Sequence, residues 1–289
     1  MKAIDSKTDL YGIFGNPVKH SLSPFLHNAL FEKEGLNAVY LAFEIDPLRL
    51  SQAFDGMRAI GMKGANVTLP FKENAIDLVD EIPEDLDRWI GAINTVVLRE
   101  GRLFGYNTDA PGFLAALREA FGFKAEGKSV LLFGAGGAAR AAAFALAHAG
   151  ADRIFIHNRT AERAQGLRDH LAPHFPDCEI VAIPSVESLE GERVDLVVNA
   201  TSSGMKGESE FFFPLARMAG KPFAYDMVYT GDTSFLKTGR SLGWQTCGGL
   251  GMLVAQGALS FGLWTGRSEG VRQTMTDLLK TRLVTDRSQ

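Results

Sequence analysis

The chain lacks the features by which a sequence declares a membrane, extracellular or nucleic-acid-binding protein. No apolar run reaches the roughly 18 to 20 residues that a spanning helix needs, and the opening MKAIDSKTDLYG contains no apolar core of a secretory signal. Cysteine occurs only as Cys178 and Cys247, without CxxC or Cys/His spacing. That excludes a disulfide framework and a zinc site, and it fits a reducing compartment. His20, His27, His148, His157, His170 and His174 are scattered with no HExxH pattern, so no metal is expected. A net charge of −4 leaves no basic footprint for nucleic acid or anionic lipid. The expectation is a cytoplasmic protein, monomeric or homodimeric, that handles a small molecule.

What is present is a long alternation of strand and helix patterns. The 289 residues exceed one ordinary core and suit two domains. YGIFGN, AVYLAFEI and GANVTL read as strands, each followed by a helical pattern: PFLHNALFEKEG, LRLSQAFDGMRAIG and KENAIDLVDEI. TVVLR and RLFGYN around Glu100-Gly101 read as a hairpin. DAPGFLAALREAFG reads as a helix, and a second alternating series runs from SVLLFGAGG through RIFIHNRT, VDLVVNAT and PFAYDMVY to WQTCGG. LGMLVAQGALSFGLWTG, the last long element, reads as a buried helix. Such alternation argues for two α/β domains with parallel sheets covered on both faces.

The clearest local motif is GAGGAA, Gly134 to Ala139, between the apolar strand SVLLF and an alanine-rich helix. Strand, glycine turn and helix in that order form the dinucleotide fingerprint. Gly134 makes the tight turn, Gly136 admits a pyrophosphate to the helix N-terminus, and Ala139 takes the third glycine's place. An NAD-binding fold puts a carboxylate at the end of the next strand. Here stand Asn158, Arg159 and Thr160, with Arg163 one turn on, and two guanidiniums with a hydroxyl suit the 2′-phosphate of NADP.

The first half carries more polar residues at strand ends than packing requires. In HSLSP, Ser23 before Pro24 has N-cap chemistry, whereas Ser21 has no such role. Asp109 in NTDAP is read either as a helix cap or as a functional carboxylate, and Asn94 after GAI as a turn residue or a ligand. Lys72, in NVTLPFK, falls in the first turn of the helix read over KENAIDLVDEI. A cation there faces the positive end of the helix dipole, which is unfavourable for stability.

Taken together, FGNPVKHSLSP, GANVTLPFKENA, GAINTVV, YNTDAPG, GAGGAAR, NRTAERA, NATSSGM, YDMVY and GLGMLVAQ resemble the shikimate dehydrogenase family, in the family's order and over nearly the whole chain. The resemblance implies an N-terminal α/β substrate-binding domain (1–108 and 249–289) and a Rossmann-type NADP-binding domain (109–248), with the C-terminal helices returning to the first. It implies reversible NADPH-dependent reduction of 3-dehydroshikimate to shikimate in aromatic amino-acid biosynthesis. Carried onto this sequence, Lys72 and Asp109 are the catalytic pair. Ser21 and Ser23 hold the substrate carboxylate with Tyr229 nearby, and Thr68, Asn94 and Gln256 meet the ring hydroxyls and carbonyl. Gly134, Gly136, Gly137, Ala138, Asn158, Arg159, Thr160, Arg163, Thr201, Met227 and Gly249 line the cofactor. Two positions depart from the family's habit: Ala110 stands where glycine commonly follows the aspartate, and Gly248-Gly249 where Asp-Gly commonly precedes Leu-Gly-Met.

Ketone reduction requires a positioned donor that stabilises charge developing on oxygen and then protonates it. An ammonium does both, which gives Lys72 a reason to sit where a helix would not want it. Two other readings stay open on the sequence: a quinate/shikimate dehydrogenase of the same family that uses NAD, and a non-catalytic NADP-dependent sensor. Arg159 argues against the first and the joint presence of Lys72 and Asp109 against the second. A glutamyl-tRNA reductase, which shares a related nucleotide domain, would need a nucleophilic cysteine and a basic RNA-binding surface, and neither is present.

Overall fold

The computed structural model describes residues 4–203, 215 and 218–286. It divides into two compact units, one comprising residues 1–108 with 254–289 and the other residues 109–253. The chain leaves the first unit between Thr108 and Asp109 and returns to it between Leu253 and Val254. Among the described residues, no helix is long and apolar enough to cross a membrane.

The first unit opens with β1 (Asp9–Gly15), α1 (Ser23–Lys33), β2 (Ala38–Glu44), α2 (Leu50–Ala59) and β3 (Gly64–Val67). It continues through α3 (Asp85–Ile90), β4 (Thr95–Arg99) and β5 (Arg102–Tyr106). The sheet order is β2-β1-β3-β4-β5. β1 is parallel to β2 and β3, whereas β4 is antiparallel to β3 and β5. The sheet is therefore mixed rather than parallel throughout. The expected hairpin reverses the chain, with Glu100 at φ 51° and Gly101 at φ 77° making the two-residue turn. α8 (Leu250–Thr265) begins in the last residues of the second unit and belongs to the first from Val254 onward, and α9 (Val271–Asp286) follows it. α9 packs on α1, where Lys33 Nζ donates to Thr274 Oγ1 at 2.8 Å.

The helix expected over KENAIDLVDEI does not form. Only Asn74–Leu78 is helical, as a 3-10 turn, and Lys72 lies two residues before it. Its unfavourable place at a helix dipole is thus removed. The cause is tertiary. β5 is the edge strand, and residues 80–81 turn to cover it: Asp80 N–H donates to the Leu103 carbonyl at 2.8 Å and Gly105 N–H to the Glu81 carbonyl at 2.8 Å. Covering an exposed row of donors and acceptors outweighs the helical periodicity of Ile76, Val79 and Ile82.

The second unit holds α4 (Asp109–Phe121), β6 (Ser129–Phe133), α5 (Gly137–His148), β7 (Arg153–His157), α6 (Ala161–Leu171) and β8 (Glu179–Ala182). β9 (Leu196–Asn199), β10 (Phe223–Asp226), α7 (Ser234–Ser241) and β11 (Thr246–Cys247) complete it. Its strands are parallel in the order β11-β10-β9-β6-β7-β8. Counted within the unit, this is the 3-2-1-4-5-6 order of the Rossmann fold. The order reverses between β6 and β9, where such folds open a crevice at the carboxyl ends of the strands. The glycine motif follows β6 at that point.

Each unit has its own apolar core. In the first, Phe54 of α2 is 1% exposed and packs with Phe14, Met57, Val67, Phe71, Ile93 and Leu103. Truncating a buried aromatic ring removes about 3–5 kcal/mol. Phe54→Ala is therefore expected to lower the urea-unfolding free energy of this unit by that amount; a loss below about 1 kcal/mol would contradict the packing described.

Candidate active site

One edge of the first unit's sheet gathers the carboxyl ends of β1, β3 and β5 with the start of β4. Ser21 and Ser23 follow β1. Ser23 is not the N-cap of α1: it is the first helical residue, Leu22 holds the cap position without a side-chain bond, and Ser21 Oγ accepts the Ser23 N–H at 3.2 Å. The local hydrogen-bonding role expected of Ser23 thus falls to Ser21. Thr68 follows β3 and its N–H donates to the Phe14 carbonyl at 2.9 Å. Half-buried Lys72 accepts the Ile93 N–H on its own carbonyl at 2.9 Å, which fixes its backbone one residue from Asn94.

Asn94 is buried and bonded on both sides of its amide. Its Oδ1 accepts the Thr108 N–H at 2.7 Å, and its Nδ2 donates to Thr108 Oγ1 at 2.9 Å and to Gln256 Oε1 at 3.3 Å. Gln256 reaches this edge from α8. Behind it, Asn66 Nδ2 lies within 3.2 Å of the Asn94 carbonyl, Thr95 Oγ1 and Ser260 Oγ. Tyr40 donates its hydroxyl to Asn66 Oδ1 at 2.7 Å. Sequence reasoning missed Asn66, Thr95, Thr108 and Ser260 as one network. The available signal was their place inside quoted motifs, together with Ser260 four residues beyond Gln256 on one helix face.

His27, also missed, is stacked 4.6 Å from Tyr40 and buried beside Phe261 and Trp264. Its Nδ1 has no hydrogen-bond partner, and burial pushes its pKa down to about 3.

In the second unit, Asp109 is the first residue of α4 and is buried, and Tyr229 lies half-buried after β10. Gly134, at φ +112°, needs a conformation that only glycine adopts freely, and a Cβ there would come within 2.9 Å of the Ala200 carbonyl oxygen. Gly136 caps α5, followed by Gly137 and Ala138 in its first turn. The end of β7 carries Asn158, whose Nδ2 donates to the Thr160 carbonyl at 2.8 Å, and exposed Arg159, Thr160 and Arg163. Across the crevice, Asn199 Oδ1 accepts from Thr201 Oγ1 at 2.7 Å. Asn199 Nδ2 donates to buried Asp226 at 2.9 Å. Burial raises Asp226 to about 6 although Thr233, Val228 and Asn199 all donate to it. Asn199 and Asp226 together fix Thr201 and Met227, and they too escaped sequence reasoning. Gly249 lies under Met227, whose carbonyl a Cβ would strike.

These residues fit NADP. The Gly134 turn leaves room for a close backbone approach, α5 offers its N-terminus, and the β7 end supplies guanidiniums without a carboxylate at Asn158–Thr160. Among the described residues, no group of three or more His, Cys, Asp or Glu could hold a metal ion. The NATSSGM motif runs past the described residues at Gly204 and Met205.

A Rossmann unit joined to a second α/β unit with polar groups at its strand ends is the architecture of a nicotinamide-dependent oxidoreductase. The description "Shikimate dehydrogenase substrate binding domain" matches residues 13–96, "Shikimate / quinate 5-dehydrogenase" residues 116–206, and "Shikimate 5'-dehydrogenase C-terminal domain" residues 249–276. Shikimate dehydrogenase (NADP(+)) of Moorella thermoacetica is 45% identical over 276 residues, covering 94% of this chain and 92% of its own. That of Caldanaerobacter subterraneus is 41% identical over 268 residues, covering 91% and 94%. The crystal structure of shikimate dehydrogenase from Aquifex aeolicus superposes with a TM-score of 0.84 at 42% identity, over 95% of this chain and 99% of that one. The chain belongs to the shikimate dehydrogenase family.

The buried imidazole has a consequence for acid stability. Folded His27 stays neutral until about pH 3, whereas in the unfolded chain it takes up a proton near its ordinary 6.5. Stability is therefore full above pH 6.5 and drains as pH falls toward 3, by about 1.4 kcal/mol per pH unit. Urea unfolding at pH 7 and pH 5 is expected to show a steeper acid loss in the wild type than in His27→Phe. Equal slopes would contradict the neutral, buried assignment.

Proposed function

We propose that the protein reversibly reduces 3-dehydroshikimate to shikimate with NADPH, in the aromatic amino-acid (chorismate) pathway. The reading is carried by one observation: Lys72, Asn94, Thr68 and the two serines belong to strand ends of a single sheet edge, on a chain whose other unit carries an NADP-type turn. Ser21 and Ser23 bind the substrate carboxylate, with Tyr229 as an aromatic hydroxyl partner. Thr68, Asn94 and Gln256 orient the ring oxygens. Reduced nicotinamide, when bound, supplies a hydride to the carbonyl carbon. Lys72 stabilises the charge that grows on the carbonyl oxygen and delivers the proton, with Asp109 as its catalytic partner. Arg159, Thr160, Asn158 and Arg163 hold the cofactor's 2′-phosphate, and Gly134, Gly136, Gly137 and Ala138 its pyrophosphate. Thr201, Met227 and Gly249 line its nicotinamide half.

The substrate unit is residues 1–108 with 249–289 and the cofactor unit residues 109–248 in this reading. The enzyme works in the cytoplasm, where its unpaired Cys178 and Cys247 stay reduced, as a monomer or homodimer. Arg159 makes no ion pair or hydrogen bond among the described residues, which leaves its guanidinium available to a phosphate and favours NADP over NAD.

Purified protein with shikimate and NADP⁺ is expected to generate reduced-nicotinamide absorbance, with NAD⁺ much poorer. No turnover would support a sensor, and preference for NAD⁺ a quinate-type enzyme. Lys72→Met keeps the aliphatic length and removes the donor, so kcat should fall by about 10²- to 10⁴-fold while shikimate binding weakens less. Near-normal kcat in the folded variant would overturn the mechanism. Arg159→Ala removes a charge-assisted bond, raising KM for NADP⁺ by about 10- to 150-fold with NAD⁺ kinetics little changed. Equal losses with both cofactors would sink the 2′-phosphate assignment.

A further inference from the structure

The outer edge of β5 presents the N–H groups of Leu103, Gly105 and Asn107 in turn, since alternate residues of a strand face the same neighbour. Each meets an acceptor from the segment wrapped along the edge. Leu103 N–H donates to Asp80 Oδ2 at 2.6 Å, Gly105 N–H to the Glu81 carbonyl at 2.8 Å, and Asn107 N–H to Asp87 Oδ2 at 2.9 Å. The last of these lies past the end of the strand, two residues before Asp109. Asn107 is buried, and its side chain donates to the Ala92 carbonyl at 2.7 Å. The next residue, Thr108, gives its N–H to Asn94. Two successive backbone amides leading to Asp109 are thus held by side-chain acceptors, Asp87 and Asn94.

We propose that Asp87 is a positioning residue of the reaction: by accepting the Asn107 N–H it fixes the turn that delivers Asp109. The inference rests on Asp109 being catalytic, as proposed above. A backbone carbonyl in that place would serve the amide equally at every pH, but a carboxylate makes the hold depend on protonation. Asp87 is half-buried in α3, and its charged neighbour is Glu84, of the same sign. Arg88 turns its Nε to the Ile82 carbonyl at 3.2 Å, and the cations that meet the edge segment from α2 and β5 are engaged, Arg58 with Asp80 and Arg102 with Glu81. Burial first, and Glu84 second, raise the Asp87 carboxyl to about 6 against the opposing bond from Asn107. The charged acceptor is present above that pH, and below it the neutral carboxyl accepts more weakly, so the turn loosens on the acid side.

The test pairs amide exchange with kinetics in Asp87→Ala and Asp87→Asn. In Asp87→Ala the Asn107 amide should lose protection by about 10- to 150-fold, the range for a lost charge-assisted bond. Asp87→Asn, which keeps a neutral acceptor, should lose less, down to about the protection that the wild type shows well below pH 6. In the wild type, protection corrected for intrinsic exchange should fall as pH drops through about 6, and in Asp87→Asn it should not. For shikimate oxidation, Asp87→Ala should lower kcat by about tenfold with little change in KM, the pattern of a misplaced catalytic group. Asp87→Asn should recover part of that loss and flatten the acid limb. Unchanged Asn107 protection in Asp87→Ala, or an intact kcat and acid limb in a merely less stable variant, would overturn the inference. A wild type that does not oxidise shikimate would overturn the functional reading alone, because the exchange arm needs no turnover.

Discussion

The side chain of Asn94 ties together pieces of the first unit that lie far apart in sequence. Its carbonyl holds the Thr108 amide, and its amide group reaches the Thr108 hydroxyl and Gln256. Those partners come from the exit of β5 and from α8, and the Asn94 backbone opens β4. Buried amides left unpaired cost about 1–3 kcal/mol apiece, so the arrangement is kept or lost largely as a unit. Asn66, Thr95 and Ser260 extend it inward until Tyr40 ends it at α1 and β2. The polar face of the site and the interior polar core of the unit are therefore continuous. The polar groups at this strand edge thus inherit their orientation from a largely buried set of bonds.

The second unit solves positioning by other means. Backbone geometry does most of the work at Gly134 and at the start of α5, where conformation and close approach matter more than side-chain chemistry. Asn199 and Asp226 supply the polar fixation across the crevice, in a buried pair that also anchors Thr233 at the start of α7. One unit orients through amide side chains and the other through a glycine turn backed by a carboxylate.

How much of this was legible follows from range. The Gly134 turn, α5 and the basic end of β7 were readable because strand, turn, helix and cap chemistry are local. The hairpin at Glu100-Gly101 was readable for the same reason. The helix read after Lys72 was not there because residues 80–81 are claimed by β5, a partner more than twenty residues away that periodicity cannot see. Ser23 was read as the N-cap, but the helix starts one residue earlier than that reading puts it, and the local side-chain acceptor is Ser21. α3, α6, β8 and α7 were not read where the segments are short or strongly polar, and α9 entered only through the family resemblance. Ser260, 194 residues from Asn66, could be joined to it only by the fold. The same holds for Asp87, which reads as an ordinary helix-start acid until its acceptor role at Asn107 is seen.

The first unit is made from two stretches of chain separated by the whole of the second. α8 contributes Trp264, whose indole donates to the Val96 carbonyl at 3.0 Å and packs 5.4 Å from Tyr11. It also contributes Phe261, 5.6 Å from Phe31, and Ser260 in the polar network. On a ribosome the residues before Asp109 therefore emerge with their sheet unroofed, and they stay so until about 150 further residues have been made. The continuous second unit has all of its strands in hand before that moment. Synthesis order thus runs against the order of the sequence: the domain begun first is the one completed last.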